Sequence, residues 1–241
     1  MRIVIAKDYD RMSRMAACIL VSQLIQRPES VLGLPTGETP KGLYRELVRL
    51  HGEGVADFSH AISFNLDEYV GLRPDDPQSY RFFMQEHLFS HVNIRPESTH
   101  IPDGTASDLE AESLRYEEAI RKAGGIDILV LGLGRDGHIG FNEPGSELSV
   151  HTHLARLSDS TIEANSHFFA DGEVPTTAIT MGVGTIMNAR RILLLASGQS
   201  KAEPVLGMTR GPITPELPAS LLQLHPDTTV ILDEAAAALL G

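Results

Sequence analysis

The sequence predicts an α/β fold with a mostly parallel open sheet and helices on both faces. Short apolar runs rich in β-branched residues alternate with segments whose apolar residues recur at helical spacing. The apolar runs are nearly continuous, which is typical of parallel strands that are buried on both faces. Hydrophobic residues make up 42% of the chain, enough to bury a sizeable core.

Six apolar runs predict the strands, and the segments between them predict five helices. The predicted strands are, in chain order, Arg2–Ala6, Val31–Leu34, Ala61–Leu66, Ile126–Gly132, Arg191–Ser197 and Thr228–Leu232. The predicted helices, with spacing close to 3.6, are Asp10–Gln26, Pro40–Leu50, Pro77–His91, Ser107–Lys122 and Lys201–Met208. This alternation is Rossmann-like. Because the sequence has no repeat, low-complexity tract or Pro/Ser-rich linker, we expect one domain over residues 1–241.

The charge balance limits the classes of partner. Lys and Arg number 20 against 32 Asp and Glu, which gives a net charge of −12. A protein this acidic repels phosphate backbones and anionic lipid surfaces, so nucleic acid and membranes are not expected partners. A phosphorylated small molecule would need a locally positive pocket.

The cysteine content and the first residues predict a cytoplasmic protein. Cys18 is the only cysteine, which excludes an internal disulfide and a multi-thiolate metal site. It lies within the apolar segment Ala16–Leu20, so we expect it to be buried. Met1–Ile5 lacks the charged-then-apolar pattern of a secretory signal, and no apolar run approaches the ~18 residues of a membrane span.

Ligands of open α/β sheets bind beyond the carboxyl ends of the strands, and three unusual clusters follow predicted strands. The first cluster, Gly33–Pro40, is a glycine-containing turn that enters a helix, where backbone N–H groups can hold phosphate. It lacks the spacing of a P-loop. The alternative is an ordinary strand–helix turn, with Thr39 as the N-cap and Pro40 as the first helical residue.

The second cluster, Phe64–Tyr69, ends in adjacent carboxylates, Asp67 and Glu68. Successive strand residues point to opposite sides, so one carboxylate can enter the cleft as a base. The alternative is a solvated turn.

The third cluster, Leu131–Pro144, breaks an apolar strand into glycines and then presents Asp136, His138 and Glu143. Flanking carboxylates hold a histidine in one tautomer and raise its pKa, as acid–base catalysis near neutral pH requires. The same three groups could bind a divalent metal ion, although no second histidine stands at helical ligand spacing. A satisfied loop histidine without a catalytic role is the third possibility.

Taken together, these clusters resemble the glucosamine-6-phosphate deaminase family over nearly the whole chain. The segments that carry the resemblance are Gly33–Pro40, Asn65–Leu72, Gly134–Pro144, Ala164–Phe169, Met181–Met187 and Leu224–Pro226. The resemblance implies a sugar-phosphate isomerase/deaminase domain that works without a metal ion or an organic cofactor. It implies a reaction in which ring opening and aldose–ketose isomerisation of an amino-sugar phosphate are followed by loss of ammonia.

The resemblance also implies roles for the catalytic residues. Asp67 would move a proton from C2 to C1 of the ring-opened sugar. His138 would catalyse opening of the pyranose ring, and Asp136 and Glu143 would set its orientation and charge. Two successive proton transfers need two differently tuned acid–base groups, which agrees with this assignment.

The implied substrate-binding residues include two departures from the family pattern. Thr36 and Gly37 would hold the phosphate, with Lys201 supplying a charge. The expected set also contains Thr39 and the two departures: Glu38 replaces a small residue, and His167 replaces an arginine. A histidine side chain carries charge only when protonated, with a reference pKa of about 6.5, so the grip on the phosphate is expected to be looser and pH-dependent.

The chain resembles the short branch of the family. Longer, hexameric members are activated at a second site by an N-acetylated sugar phosphate, through basic residues at positions that hold His151, His153 and Ala155 here. We therefore expect an unregulated monomer or small homo-oligomer. The alternatives are a galactosamine-6-phosphate deaminase, a 6-phosphogluconolactonase-like hydrolase and a non-catalytic sugar-phosphate-binding module.

Overall fold

The computed structural model describes residues 1–166, 169 and 174–241, which contain ten strands and seven α-helices. The strands are β1 Arg2–Ala6, β2 Val31–Leu34, β3 Ile62–Asn65, β4 Asp67–Tyr69, β5 Thr99–His100, β6 Ile128–Leu131, β7 His153–Arg156, β8 Thr177–Thr180, β9 Ile192–Ala196 and β10 Thr228–Asp233. The helices are α1 Tyr9–Gln26, α2 Glu38–Gly52, α3 Tyr80–His87, α4 Leu109–Lys122, α5 Asp159–Asn165, α6 Val183–Met187 and α7 Ala202–Arg210.

The central sheet has seven strands in the order β1-β10-β9-β6-β2-β3-β5. Every neighbouring pair in it is parallel. All six predicted strands belong to this sheet, and the predicted fold class is confirmed. The seventh strand of this sheet, β5, has two residues and was not predicted from the sequence.

Successive residues of one strand enter two different cores, which explains the continuous apolar runs. Leu193 and Leu195 of β9 pack in a core formed with α1, α2 and α3. Ile192 and Leu194 pack on the opposite face, in a core formed with α4 and α7. Helices therefore cover both faces of the sheet, as the sequence predicts.

A second, antiparallel sheet of order β4-β8-β7 was not predicted. Its strands are short, and β4 and β7 carry charged residues. Their pairing joins distant parts of the chain, for example Asp67 with Thr180. Such strands lack a local hydrophobic period, so the sequence alone does not reveal them.

Several local predictions were wrong in detail. Helix α2 begins at Glu38 with Gly37 as its N-cap, so Thr39 is not the cap. Helix α3 is shorter than predicted at both ends: it begins after its N-cap Ser79 and ends at His87, before a separate 3-10 turn at Phe89–His91. Cys18 is exposed, since the period of α1 buries Ala16, Ala17 and Leu20 and turns Cys18 outward. None of the described helices combines the length and apolar character that crossing a bilayer requires.

Candidate active site

A cavity of about 340 Å³ opens at the carboxyl ends of β9, β6, β2 and β3, four adjacent strands of the central sheet. The chain order reverses between β6 and β2, so the cavity lies at the topological switch point, where such sheets bind ligands. Residues from all three sequence clusters line it. The predicted site residues among them are Thr36, Gly37, Glu38, Thr39, Asp67, Asp136, His138 and Lys201.

Among the predicted residues that the structure describes, Glu143 is the one that is not in the cavity lining. Glu143 stands behind His138 and contacts its ring. His167 lies outside the described residues, so the structure does not address its predicted role.

The loop after β2 presents the start of a helix to the cavity. Gly37, with φ +98°, is the N-cap of α2, and no side chain caps the first turn. The helix dipole and the N–H groups of the first turn favour a bound anion at this position. This geometry suits an anion, and phosphate binding by the loop stays a prediction.

Asp67 is a buried carboxyl group that keeps a proton near neutral pH. Its residue is only 6% exposed, and it is the first residue of β4. Burial and then the charge of Glu68 raise the pKa of Asp67 to about 8, although His138 opposes the shift. A carboxyl group with this pKa can accept and return a proton near the pH of the cell.

Glu68 has a structural role on the opposite side of the strand. Its carboxylate accepts hydrogen bonds from the N–H groups of Tyr69, Tyr80 and Arg81, at 2.9, 2.9 and 3.0 Å. These bonds fasten β4 to the first turn of α3. Of the two adjacent carboxylates, Asp67 is thus the one in the cavity.

His138 is held between two carboxylates. Its Nδ1 atom lies 2.7 Å from Oδ1 of Asp136 and 3.5 Å from Oε2 of Glu143. Burial alone lowers the pKa of His138, but the hydrogen bonds to Asp136 and Glu143 outweigh it and raise the pKa to about 9. The carboxylates engage Nδ1, which leaves Nε2 for chemistry.

Glu143 connects His138 to helix α5. Its carboxylate accepts hydrogen bonds from Oγ1 of Thr161 at 2.7 Å and Oγ of Ser158 at 3.1 Å. Burial raises the pKa of Glu143, and the hydrogen bond and charge of His138 outweigh this effect and lower it. The sequence analysis missed Ser158 and Thr161, although a serine at the start of a helical segment is a recognisable N-cap.

The cluster of Asp136, His138 and Glu143 could also surround a divalent ion. Their ligand atoms lie within 4.8 Å of one another. However, both carboxylates approach the same ring nitrogen, and a positively charged imidazolium at 2.7 and 3.5 Å from them accounts for the cluster without an ion. The arrangement is therefore better suited to acid–base chemistry than to metal coordination.

Lys201 brings a cation to the cavity from the loop after β9. That loop turns at Gly198, with φ +92°, and Asp233 fixes it by accepting hydrogen bonds from the Ser197 hydroxyl and the Gly198 N–H. Burial and then the charge of Arg135 lower the pKa of Lys201 to about 8, and Asp136 opposes the shift. Arg135 and Asp233 were missed by the sequence analysis.

The family model for glucosamine-6-phosphate isomerases/6-phosphogluconolactonase matches residues 8–231. The chain belongs to this family.

Two relatives that are 53% identical to this chain are named glucosamine-6-phosphate deaminases. The chain is 53% identical over 242 residues to the glucosamine-6-phosphate deaminase of Clostridioides difficile (strain 630), covering 100% of this chain and 97% of that protein. It is 53% identical over 241 residues to the deaminase of Halothermothrix orenii, covering 100% of each.

Solved structures agree with this family membership. A monomeric glucosamine-6-phosphate deaminase superposes with a TM-score of 0.96 at 46% identity, covering 99% of this chain and 100% of that one. A 6-phosphogluconolactonase from Trypanosoma cruzi has a TM-score of 0.81 at 22% identity, covering 99% and 96%. At that identity, the second likeness shows a shared fold alone.

Proposed function

We propose that this chain is a glucosamine-6-phosphate deaminase, which converts D-glucosamine 6-phosphate and water to D-fructose 6-phosphate and ammonia. The observation that carries the proposal is the meeting of Asp67 and His138, two proton-transfer groups whose pKa values are raised to about 8 and about 9, in one cavity beside the start of α2. Full-length similarity at 53% identity to named deaminases supports the same activity. We propose that residues 1–241 form one catalytic domain.

In the proposed mechanism, the helix α2 N-terminus, Thr36, Gly37 and Lys201 bind the 6-phosphate and place the sugar. His138, which a pKa of about 9 keeps protonated near neutral pH, opens the pyranose by donating a proton to the ring oxygen and then taking the proton of the anomeric hydroxyl. Asp136 and Glu143 stabilise its imidazolium form. The product of this step is the aldehyde with a 2-amino group.

Asp67 carries out the isomerisation. Its carboxylate takes the proton from C2 while the C1 oxygen takes a proton from solvent, which gives an enolamine. It then returns its proton to C1 while the C2–N bond becomes an iminium. Water adds to C2 and releases one proton to solvent, which replaces the proton taken up at the C1 oxygen. The remaining proton of the new hydroxyl passes to nitrogen as the C–N bond breaks, which leaves the ketone and ammonia. Each proton removed is returned or ends on nitrogen, so the residues of this chain complete the reaction with water alone.

The direct test is to incubate the purified protein with glucosamine 6-phosphate, galactosamine 6-phosphate and unphosphorylated glucosamine, and to measure ammonia and ketose. We expect ammonia and fructose 6-phosphate in equal amounts from the first substrate. Preference for the second would reassign the enzyme to the galactosamine epimer. Hydrolysis of 6-phosphogluconolactone without ammonia release would point to a lactonase, and turnover of none of these to a binding module.

A first prediction concerns the two departures near the phosphate. Glu38 lines the cavity, and Lys41 holds its carboxylate at 2.5 Å, so its repulsion of phosphate is partly neutralised. We expect Glu38→Gly to lower KM only a few-fold, because an exposed charge is well screened. His167→Arg replaces a titratable group with a permanent cation, so it should lower KM and flatten its pH dependence.

The measurement is KM from pH 6 to 9 for the parent and both variants. Lys41→Gln is the matched control for the first substitution: it frees the Glu38 carboxylate and should raise KM. An unchanged KM in both variants would mean that Glu38 and His167 do not act on the phosphate.

A second prediction concerns regulation. Ala155 is buried, and the exposed His151 lies 4.0 Å from the Glu117 carboxylate, so little fixed positive charge gathers at these positions. We expect hyperbolic kinetics that N-acetylglucosamine 6-phosphate does not change, and a monomer in solution. Rate curves with and without that compound, with the mass from light scattering, test this. Sigmoidal curves that the compound relieves would reveal a second site.

A further inference from the structure

A tight turn at the edge of the cavity displays Arg135. The Gly137 N–H donates to the Gly134 carbonyl at 3.2 Å, so Arg135 and Asp136 are the two central residues of the turn. The Gly134 N–H donates to the His138 carbonyl at 2.9 Å, which ties the turn to the histidine. Arg135 is therefore presented by the same backbone unit that places Asp136 and His138.

The Arg135 side chain has access to both solvent and the cavity. It is exposed, and it lines the cavity together with Lys201 and the start of α2. It acts on Lys201 as a neighbouring cation, because its charge favours the neutral form of that amine. The two cations thus stand close enough to repel each other, which an anion between them would relieve.

Two carboxylates of the cavity have ion-pair partners, whereas the described residues give the Arg135 side chain none. Glu38 pairs with Lys41, and Asp136 pairs with His138. Over residues 1–166, 169 and 174–241, the guanidinium of Arg135 makes no ion pair or hydrogen bond. In a protein of net charge −12 with 32 carboxylates, an arginine left unpaired beside a second cation marks a locally positive site.

We propose that Arg135 is a further substrate-binding residue of this enzyme, which grips the 6-phosphate together with Lys201 and determines specificity for the phosphorylated sugar. This inference rests on the proposed deaminase function. The planar guanidinium can donate two parallel hydrogen bonds to phosphate oxygens, which an ammonium group cannot do. The exposed position of Arg135 lets it meet the phosphate first.

The test uses Arg135→Gln, Arg135→Lys and, as a matched control, Arg14→Gln on the exposed side of α1. We expect Arg135→Gln to raise KM for glucosamine 6-phosphate about 10- to 100-fold with kcat changed less than about threefold, as loss of a charged hydrogen bond predicts. Arg135→Lys should recover part of the lost affinity, because it restores the charge but not the two parallel N–H donors of the guanidinium. Arg14→Gln should match the parent.

Inorganic phosphate provides a readout that does not depend on turnover. Its dissociation constant, measured by calorimetry, should rise in Arg135→Gln by a factor similar to that for KM. The pH profile should change too: without Arg135 the pKa of Lys201, now about 8, rises, although Asp136 still faces it. The loss of phosphate affinity on the alkaline side should therefore move to higher pH.

The outcomes separate this inference from the proposed function. An active deaminase whose Arg135→Gln variant keeps the parent KM and phosphate affinity overturns the role of Arg135 and leaves the function standing. A parent protein that turns over no amino-sugar phosphate overturns the function, and calorimetry with phosphate still decides whether Arg135 binds the anion. Equal losses of kcat in Arg135→Gln and Arg135→Lys without a change in phosphate affinity would show that the side chain only supports the turn.

Discussion

Asp67→Asn is expected to reduce deamination at least ~10²-fold, because it removes the base without changing the shape of the side chain. Asp67 lies at the buried floor of the cavity, and its pKa of about 8 suits reversible proton transfer at carbon. Exchange of the substrate C2 proton with solvent deuterium should fall in parallel with ammonia release. The matched control is Asp75→Asn, an exposed carboxylate paired with Arg73 at 3.0 Å, which should be fully active.

The same substitution predicts a change in how stability depends on pH. The pKa of Asp67 is raised from 3.8 to about 8 in the folded protein, so the folded state holds this proton more tightly than the unfolded chain. Its contribution to stability is full below pH ~4 and is lost as the pH rises to about 8. Asparagine cannot ionise, so Asp67→Asn should lose less stability than the parent between pH 5 and 8.5, measured as Tm.

Two results would remove Asp67 from the mechanism. One is near-normal turnover of Asp67→Asn at saturating substrate. The other is undiminished C2 exchange in a variant that releases no ammonia, since another group would then be the base that removes the C2 proton.

The activity of the parent protein should also rise with pH through about 8, because the Asp67 carboxyl group ionises there.

His138→Gln is expected to reduce turnover of the cyclic substrate by about 10²- to 10⁴-fold, the usual contribution of an acid–base group. The loss should be much smaller for an open-chain analogue, because the pyranose ring is what His138 is proposed to open. Stopped-flow rates on the pyranose and on an analogue that cannot cyclise would measure the difference. Exposed His60, replaced by glutamine, is the matched control and should behave like the parent.

Glu143→Gln tests how the histidine is tuned. Removing this carboxylate takes away one of the two groups that raise the pKa of His138 to about 9, so that pKa should fall. The alkaline limb of the pH–rate profile should then move to lower pH, with a smaller loss of rate than in His138→Gln.

For the His138→Gln variant itself, equal losses of rate on cyclic and open-chain substrates would place the histidine at a step after ring opening.

The site residues could be predicted to the extent that their signal was local. Asp67, Asp136 and His138 follow apolar runs that end in glycines or carboxylates, and such an ending is visible in a few consecutive residues. Because parallel strands carry their carboxyl ends to one edge, the clusters were expected to converge, and the structure places them in one cavity. The roles assigned to these residues remain predictions for the variants above.

Other features depended on contacts between distant parts of the chain. Nothing near Asp67 or Glu68 tells which carboxylate faces the cavity; the antiparallel pairing of β4 with β8 and the N–H groups of α3 decide it. Likewise, Arg135 and Lys201 stand on loops after different strands, and only the adjacency of β6 and β9 makes them neighbours.

The sequence by itself determined the layered architecture and the edge of the sheet at which chemistry occurs. Burial of a strand on both faces requires an unbroken apolar run, and helices that cover a sheet require a 3.6-residue period. Both patterns can therefore be recognised in a short stretch of consecutive residues. The tertiary structure alone decided the second sheet, the outward position of Cys18, the pKa values of Asp67 and His138, and the nearness of Arg135 to Lys201. The physical reason is that burial and charge–charge interactions depend on distances through space, which short-range sequence patterns do not record.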